Sequence, residues 1–144
     1  MNLLKCHMKS ITLILLLTYS LIAADAESAA MMLDYESEYQ TAIDRAKKEH
    51  KMVLMVIVQD PCPYCDKLVH KTLDTPAVQK RMKNYVPLVV DKHGEFPKQF
   101  KPPFIPMSYI IDPNEEKVTF KIVGSVPSKD YIEGLDNEME FREE

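Results

Sequence analysis

The pattern of hydrophobic and polar positions begins with a predicted helix followed by a buried strand. Between residues 33 and 51 apolar residues recur at helical spacing, with acids near the start and lysines near the end, as the helix dipole favours. Residues 52–58, MVLMVIV, are all apolar and rich in β-branched types, which is typical of a strand covered on both faces. Such a strand predicts helices above and below the sheet.

The middle of the chain continues this alternation of helices and strands. A helical stretch from about residue 63 to 84 is broken at Thr75-Pro76, where threonine can cap a new helix and proline can open it. Its inward face is predicted from the spacing i, i+3, i+4 and i+8. These residues are Cys65, Leu68, Val69 and Leu73.

A second strand, a loop, a hairpin and a last helix complete the predicted order. Residues 86–91, VPLVVD, are apolar up to the final aspartate and predict a second buried strand, and residues 92–106 are rich in proline and glycine, as in a loop. Residues 107–112 and 117–123 predict an antiparallel hairpin, since a turn containing Pro113 separates two strand-like runs. Ser128 can cap the final helix. The predicted apolar stripe of that helix is Tyr131, Ile132, Leu135 and Met139.

The N-terminal residues predict a secretory signal peptide, residues 1–26, followed by a single domain, residues 27–144. Lys5 and Lys9 precede the apolar run at 11–24, and Ala24-Asp25-Ala26 offers small residues for cleavage. The run is shorter than the ~20 residues needed to span a bilayer. An uncleaved membrane anchor remains the alternative.

Composition and charge narrow the class of function. A chain of 144 residues fits one globular unit, and 46% hydrophobic residues argue against wholesale disorder. The formal net charge of −4, without a long basic run, gives no indication of nucleic-acid binding. Loss of the leader would remove Cys6 and leave one isolated cysteine pair, Cys62 and Cys65.

The pair lies in the segment PCPYC, directly after the first predicted strand and at the start of a helix. A disulfide between residues three apart closes a very short loop and adds little chain-entropy stabilisation, so a purely structural role is a poor explanation for the pair. Cys62 at the N-cap, with Pro63 at the first helical position, faces unpaired backbone N–H groups that favour the thiolate. Cys62 is therefore the predicted exposed nucleophile, Cys65 the inward resolving thiol, and Tyr64 a neighbour that modulates access.

This order of elements around Cys-Pro-Tyr-Cys resembles the thioredoxin fold over about residues 33–142. Ile105-Pro106, just before MSYIID, stands where thioredoxin-like proteins place a cis-proline against the cysteine pair. The resemblance implies an α/β fold, with a central mixed β-sheet flanked by helices on both faces. It also implies substrate contacts at Pro63, Tyr64, Ile105 and Pro106, and a redox-active Cys62–Cys65 disulfide with no other cofactor and no metal.

The finer resemblance is to exported thiol:disulfide interchange domains, in which "CxxCDKL…PAVQKRM…YVPLVVD" is a familiar continuation. It implies protein thiol and disulfide substrates and a membrane electron-transfer partner. The protein would be monomeric and periplasmic in a bacterium, or membrane-anchored if uncleaved. Ile105 before the proline resembles the reductive thioredoxins, which favours a reductase over an oxidase or isomerase.

One position departs from the thioredoxin pattern, because the buried acid beneath the second cysteine is replaced by an apolar residue at about Val56. Asp60 and Asp66 are candidate proton acceptors for Cys65 by proximity alone. We therefore expect slower resolution of the mixed disulfide than in a protein with the buried acid.

Two other functions remain open at the level of the sequence. The two thiols could bind or transfer copper or zinc, with His70 and His93 as further ligands, although no second C-x-x-C completes a zinc site. The domain could also be a non-catalytic thioredoxin-like binding module that holds a partner near Pro106.

Overall fold

The computed structural model describes residues 25–143, which form one mixed sheet between two layers of helices. In chain order, the elements are α1 (Ala26–Leu33), α2 (Tyr39–Glu49), β1 (Met52–Val58), α3 (Pro63–Leu68), a π-helical turn (Val69–Leu73), α4 (Pro76–Met82), β2 (Tyr85–Asp91), a 3-10 turn (Lys98–Phe100), β3 (Met107–Asp112), β4 (Lys117–Val123) and α5 (Ser128–Glu143).

The sheet has four strands in the order β2-β1-β3-β4. Strands β1 and β2 are parallel, whereas β3 runs antiparallel to both β1 and β4. The expected α/β fold with a mixed sheet is therefore confirmed, and so is the predicted hairpin. All residues of β1 are buried, as its unbroken apolar sequence predicted.

Alternate residues of β1 point into two separate core layers. Leu54, Val56 and Val58 face the layer that contains residues of α1, α3, α4 and α5. The intervening residues face the layer that contains α2 and the 3-10 turn. Helices therefore cover both faces of the sheet, and the cysteine-bearing helix α3 belongs to the more crowded face.

The helix predicted over residues 33–51 is shorter in the structure and begins only at Tyr39. Asp34 adopts a left-handed conformation, with φ of 58°, and ends α1. The chain then runs along the edge of β2, where the Glu36 N–H donates to Pro87 O and the Val89 N–H donates to Glu36 O, both at 2.9 Å. These bonds hold the segment extended, so Tyr35 lies outside the helix to which its spacing assigned it.

Helix α1 was not predicted from the sequence, in which no element was assigned before residue 33. Asp25 caps it by accepting the Ser28 N–H at 2.7 Å. Its three alanines and Leu33 recur at i, i+3, i+4 and i+7, and this spacing is the feature of the sequence that could have predicted the helix. They are buried in the structure: Ala26, Ala29, Ala30 and Leu33.

The predicted cleavage point after Ala26 falls one residue inside α1. The rest of the predicted signal peptide, residues 1–24, lies outside the described residues, so the leader and its removal stay predictions. Within residues 25–143 no helix is both long enough and apolar enough to cross a membrane.

Helix α5 buries a charge as well as Tyr131 and Leu135 of its predicted apolar stripe, whereas Ile132 and Met139 are half-buried. Glu138 is 2% exposed, its Oε2 accepts the Tyr85 hydroxyl at 2.7 Å, and Arg142 Nε lies 2.7 Å from its Oε1. Burial and the neighbouring carboxylate raise the pKa of Tyr85 above its ordinary value. These contacts join α5 to the start of β2, at the end of the sheet opposite the one that carries the cysteines.

Candidate active site

The cysteine pair follows the carboxyl end of β1 and begins α3. Cys62 is the N-cap residue, in an extended conformation, and its sulfur accepts the Cys65 N–H at 3.2 Å. Pro63 occupies the first helical turn, where its missing N–H leaves no bond unmade. The predicted N-cap geometry of Cys62 is confirmed.

Cys62 and Cys65 are joined in a disulfide with Cα atoms 5.2 Å apart. Cys62 is 9% exposed and Cys65 is 2% exposed, so the predicted order of access is correct, but Cys62 is far more covered than expected. Tyr64, between them, is 69% exposed. The surface at the pair is therefore formed mainly by the Pro-Tyr dipeptide, with little of Cys62 itself accessible.

The helix that carries the pair changes type after Leu68. A π-helical turn, Val69–Leu73, separates α3 from α4, and Asp74 N–H donates to Val69 O at 3.1 Å, as a π turn requires. The inward face predicted from spacing is buried throughout. The predicted break at Thr75-Pro76 is also correct, but the Thr75 hydroxyl donates backward to Thr72 O at 2.7 Å instead of capping α4.

The Ile105–Pro106 peptide bond is cis, as the sequence predicted, and it leads directly into β3. Met107 pairs with Ile57 in the antiparallel register, so Pro106 enters the sheet beside the carboxyl end of β1, the end from which the cysteine segment departs. Pro106 O accepts the Gly124 N–H at 3.0 Å. Pro106 and the loop after β4 therefore lie at the same edge of the sheet as the cysteines.

Two features of this edge were not found from the sequence. The Asp60–Pro61 bond is also cis, which no local residue pattern distinguished from an ordinary X-Pro bond. Phe104 is 51% exposed in the loop that leads to Pro106.

The core beside Val56, the apolar residue at the position expected to lack an acid, contains two hydrogen-bonded hydroxyl groups. Val56 is fully buried and pairs with Ser108 across the sheet. The Tyr131 hydroxyl donates to Ser108 Oγ at 2.9 Å, and complete burial raises the pKa of Tyr131 above its ordinary value. Asp60 and Asp66, the acceptors considered from the sequence, are both exposed. Strand β1 therefore carries no carboxylate that could accept the Cys65 proton, as the valine at position 56 led us to expect.

The metal-binding alternative gains no partner from the fold. Both His70 and His93 are exposed. Across the part of the chain that the structure describes, no three His, Cys, Asp or Glu side chains converge as a metal site would require.

Residues 39–138 match the family described as Thioredoxin-like domain, and the chain belongs to that family. With its Cys62–Cys65 pair it is a thioredoxin-like thiol:disulfide interchange protein, and as an enzyme a thiol:disulfide oxidoreductase. No curated protein matches the chain in sequence.

Solved structures show the same fold at low sequence identity. A thioredoxin from Thermus thermophilus has a TM-score of 0.64 and 19% identity, covering 72% of this chain and 85% of its own. The oxidised C-terminal domain of DsbD from Neisseria meningitidis has a TM-score of 0.59 and 20% identity, covering 72% and 98%. A DsbH oxidoreductase has a TM-score of 0.60 and 18% identity, covering 85% and 90%.

Proposed function

We propose that this chain is an exported oxidoreductase that exchanges protein disulfides through Cys62 and Cys65, in the reducing more than the oxidising direction. The observation that carries the proposal is the Cys62 sulfur, which caps α3 and accepts a backbone N–H. Partial positive charge at the start of a helix stabilises an anion, so reduction of the disulfide leaves Cys62 in surroundings that favour its thiolate.

The reaction consists of two exchanges with a balanced transfer of electrons. The Cys62 thiolate attacks one sulfur of a substrate disulfide, forms a mixed disulfide and releases the first substrate thiolate. Cys65 then loses its proton and attacks the Cys62 sulfur, which releases the second substrate thiolate and forms the Cys62–Cys65 disulfide. Two electrons pass to the substrate, and the released thiolates take up protons from solvent or from the site.

An extended substrate segment would lie across the edge formed by the cysteine pair and the cis-proline. Backbone groups next to Pro106 can pair with such a segment in the manner of an added strand. The exposed rings of Tyr64, between the two cysteines, and Phe104, two residues before Pro106, offer apolar contact area to such a segment. The residues we assign to substrate contact are Pro63, Tyr64, Phe104, Ile105 and Pro106.

Export and direction rest on separate observations. The basic and apolar N-terminal sequence supports secretion, to the periplasm in a bacterium, or membrane anchorage without cleavage. A reductase in an oxidising compartment must be recharged from outside, which supports a membrane electron-transfer partner. Ile105 before the cis-proline supports the reducing direction by its resemblance to thioredoxins. We propose that the protein acts as a monomer.

The reduction potential of the Cys62–Cys65 pair tests both redox function and direction. The chain carrying Cys6→Ser is equilibrated against glutathione, and free thiols are counted by alkylation. We expect a value near about −270 mV, typical of a reductant; one near about −120 mV would instead make the protein a disulfide donor. Failure to form a reversible Cys62–Cys65 disulfide would end the redox proposal. A Cys62→Ser chain that retains full cellular function would favour a binding module.

A further inference from the structure

The π-helical turn after α3 contains a buried threonine whose hydroxyl leaves its own helix. In a regular helix a threonine hydroxyl reaches the carbonyl four residues earlier. Thr72, only 2% exposed, donates instead to Val126 O at 2.6 Å, across 54 residues of sequence. Single π turns inside α-helices are rare and frequent at functional sites. This turn directs a buried hydroxyl out of the cysteine-bearing helix and towards the loop after β4.

That loop, residues 124–127, connects the helix to the cis-proline. At one end the Gly124 N–H donates to Pro106 O at 3.0 Å. Two residues later, Val126 O receives the Thr72 hydroxyl. A weaker contact follows, in which Ser128 Oγ donates to Lys71 O at 3.3 Å. The hydrogen bonds at Gly124 and Val126, joined by the loop backbone between them, therefore link the turn after the cysteines to the carbonyl of Pro106.

The loop is held at two points, Gly124 and Val126, by hydrogen bonds to other elements. These bonds fix one side of the edge on which a substrate segment would lie.

We propose that Thr72 is a positioning residue for exchange with protein disulfides, and this inference rests on the function proposed above. Its hydroxyl holds the 124–127 loop, and through it Pro106, at a fixed distance from the helix that carries Cys62. An extended protein substrate must bind along Pro106 while its disulfide is in line with the Cys62 sulfur. A small disulfide needs the sulfur alone. Thr72 therefore governs reaction with proteins and leaves the intrinsic reactivity of the dithiol unchanged.

The test compares insulin, a protein disulfide, with glutathione disulfide, using dithiothreitol to reduce the enzyme. For Thr72→Val we expect kcat/KM for insulin to fall roughly 10- to 100-fold, the range in which small misplacement acts. Glutathione disulfide kinetics and the reduction potential should stay at wild-type values. Thr72→Ser, which keeps the hydroxyl, should restore insulin reduction. Thr119→Val is the matched control, because it removes a hydroxyl bond to Ile110 O within the hairpin.

Several results would overturn the inference. Wild-type insulin kinetics in Thr72→Val would exclude a positioning role, and an equal loss with both substrates would place the effect on the dithiol itself. If Thr72→Val does not fold, Ser128→Ala decides, since Ser128, the first residue of α5 directly after the loop, makes the second contact with the same turn. It should lower insulin kcat/KM by a smaller factor, and an unchanged value would refute the proposal. A wild-type chain that exchanges with neither disulfide would refute the proposed function as well.

Discussion

Introducing an acid at Val56 tests the reasoning about how Cys65 loses its proton. Val56 is fully buried, and its side chain belongs to the same core layer as Cys65. A carboxylate placed there would be strongly desolvated, which raises the pKa of such a group by up to several units, towards neutrality. It would then be suited to accept the Cys65 proton as the mixed disulfide is resolved.

The cost to stability is large but tolerable. Losing the buried valine side chain removes about 1.5–3 kcal/mol of burial free energy. Desolvating a neutral carboxyl group adds about 1–3 kcal/mol, and a hydrogen bond from the Ser108 hydroxyl, the cross-strand neighbour, returns about 1 kcal/mol. The net destabilisation of about 1.5–5 kcal/mol does not exceed the ~5–15 kcal/mol typical of a domain. We therefore expect Val56→Asp to remain folded, with a lowered urea midpoint.

Stopped-flow mixing of the reduced chain with a disulfide-bonded peptide separates formation of the mixed disulfide from its resolution. We expect Val56→Asp to accelerate the second phase by up to about 100-fold, the lower range for a positioned general base. Val56→Asn is the matched control, because it carries the same loss of packing without a base. Resolution no faster in Val56→Asp than in Val56→Asn would refute the reasoning.

Three further predictions concern stability. Burial raises the folded-state pKa of Tyr131 above its unfolded value of about 10, so the stability that its protonated hydroxyl contributes is complete below pH ~10 and is lost as the pH rises above it. Tyr131→Phe should therefore reduce the fall in the free energy of unfolding, measured by urea denaturation between pH ~10 and ~12, by up to ~1.4 kcal/mol per pH unit. An unchanged slope would contradict the assignment of this pH dependence to Tyr131. A chain that begins at Glu27 lacks the Asp25 cap and the first buried residue of α1, so it should melt at a lower temperature than one that begins at Asp25; equal melting temperatures would show that the cap contributes nothing. Arg142→Met leaves the buried Glu138 carboxylate with Tyr85 alone and should lower the free energy of unfolding by about 1–3 kcal/mol, whereas Arg142→Met combined with Glu138→Gln should recover part of the loss in urea denaturation.

The local sequence pattern was sufficient to predict most of the helices and strands near the cysteines. The run MVLMVIV has no polar residue and can be stable only where both faces are covered, so its central position followed from composition alone. Cys62 before Pro63 has one favourable arrangement at a helix start, and the structure has that arrangement. The cis bond at Pro106 was predicted from its place before a strand in a family pattern, since the residues themselves allow either isomer.

The predictions from sequence were wrong where the backbone forms hydrogen bonds or contacts with a segment distant in the chain. Tyr35 has helical spacing, but the backbone at Glu36 pairs with β2, which lies about 50 residues later in the chain. Helix α1 contains small residues that are equally typical of the end of a signal peptide. Only the burial of Ala29 and Ala30 in the core distinguishes a helix of the domain from a signal peptide.

The sequence by itself determined the order of the elements from α2 onward, the layered fold, and the cysteine pair at a helix start, because these depend on periodicity and on residues adjacent in the chain. Tertiary structure alone decided how far Cys62 is covered, which hydroxyls occupy the core beside Val56, and where the Thr72 hydroxyl donates. Each of these depends on the distance between segments far apart in sequence. That distance is set by packing of the whole core, which no local pattern encodes.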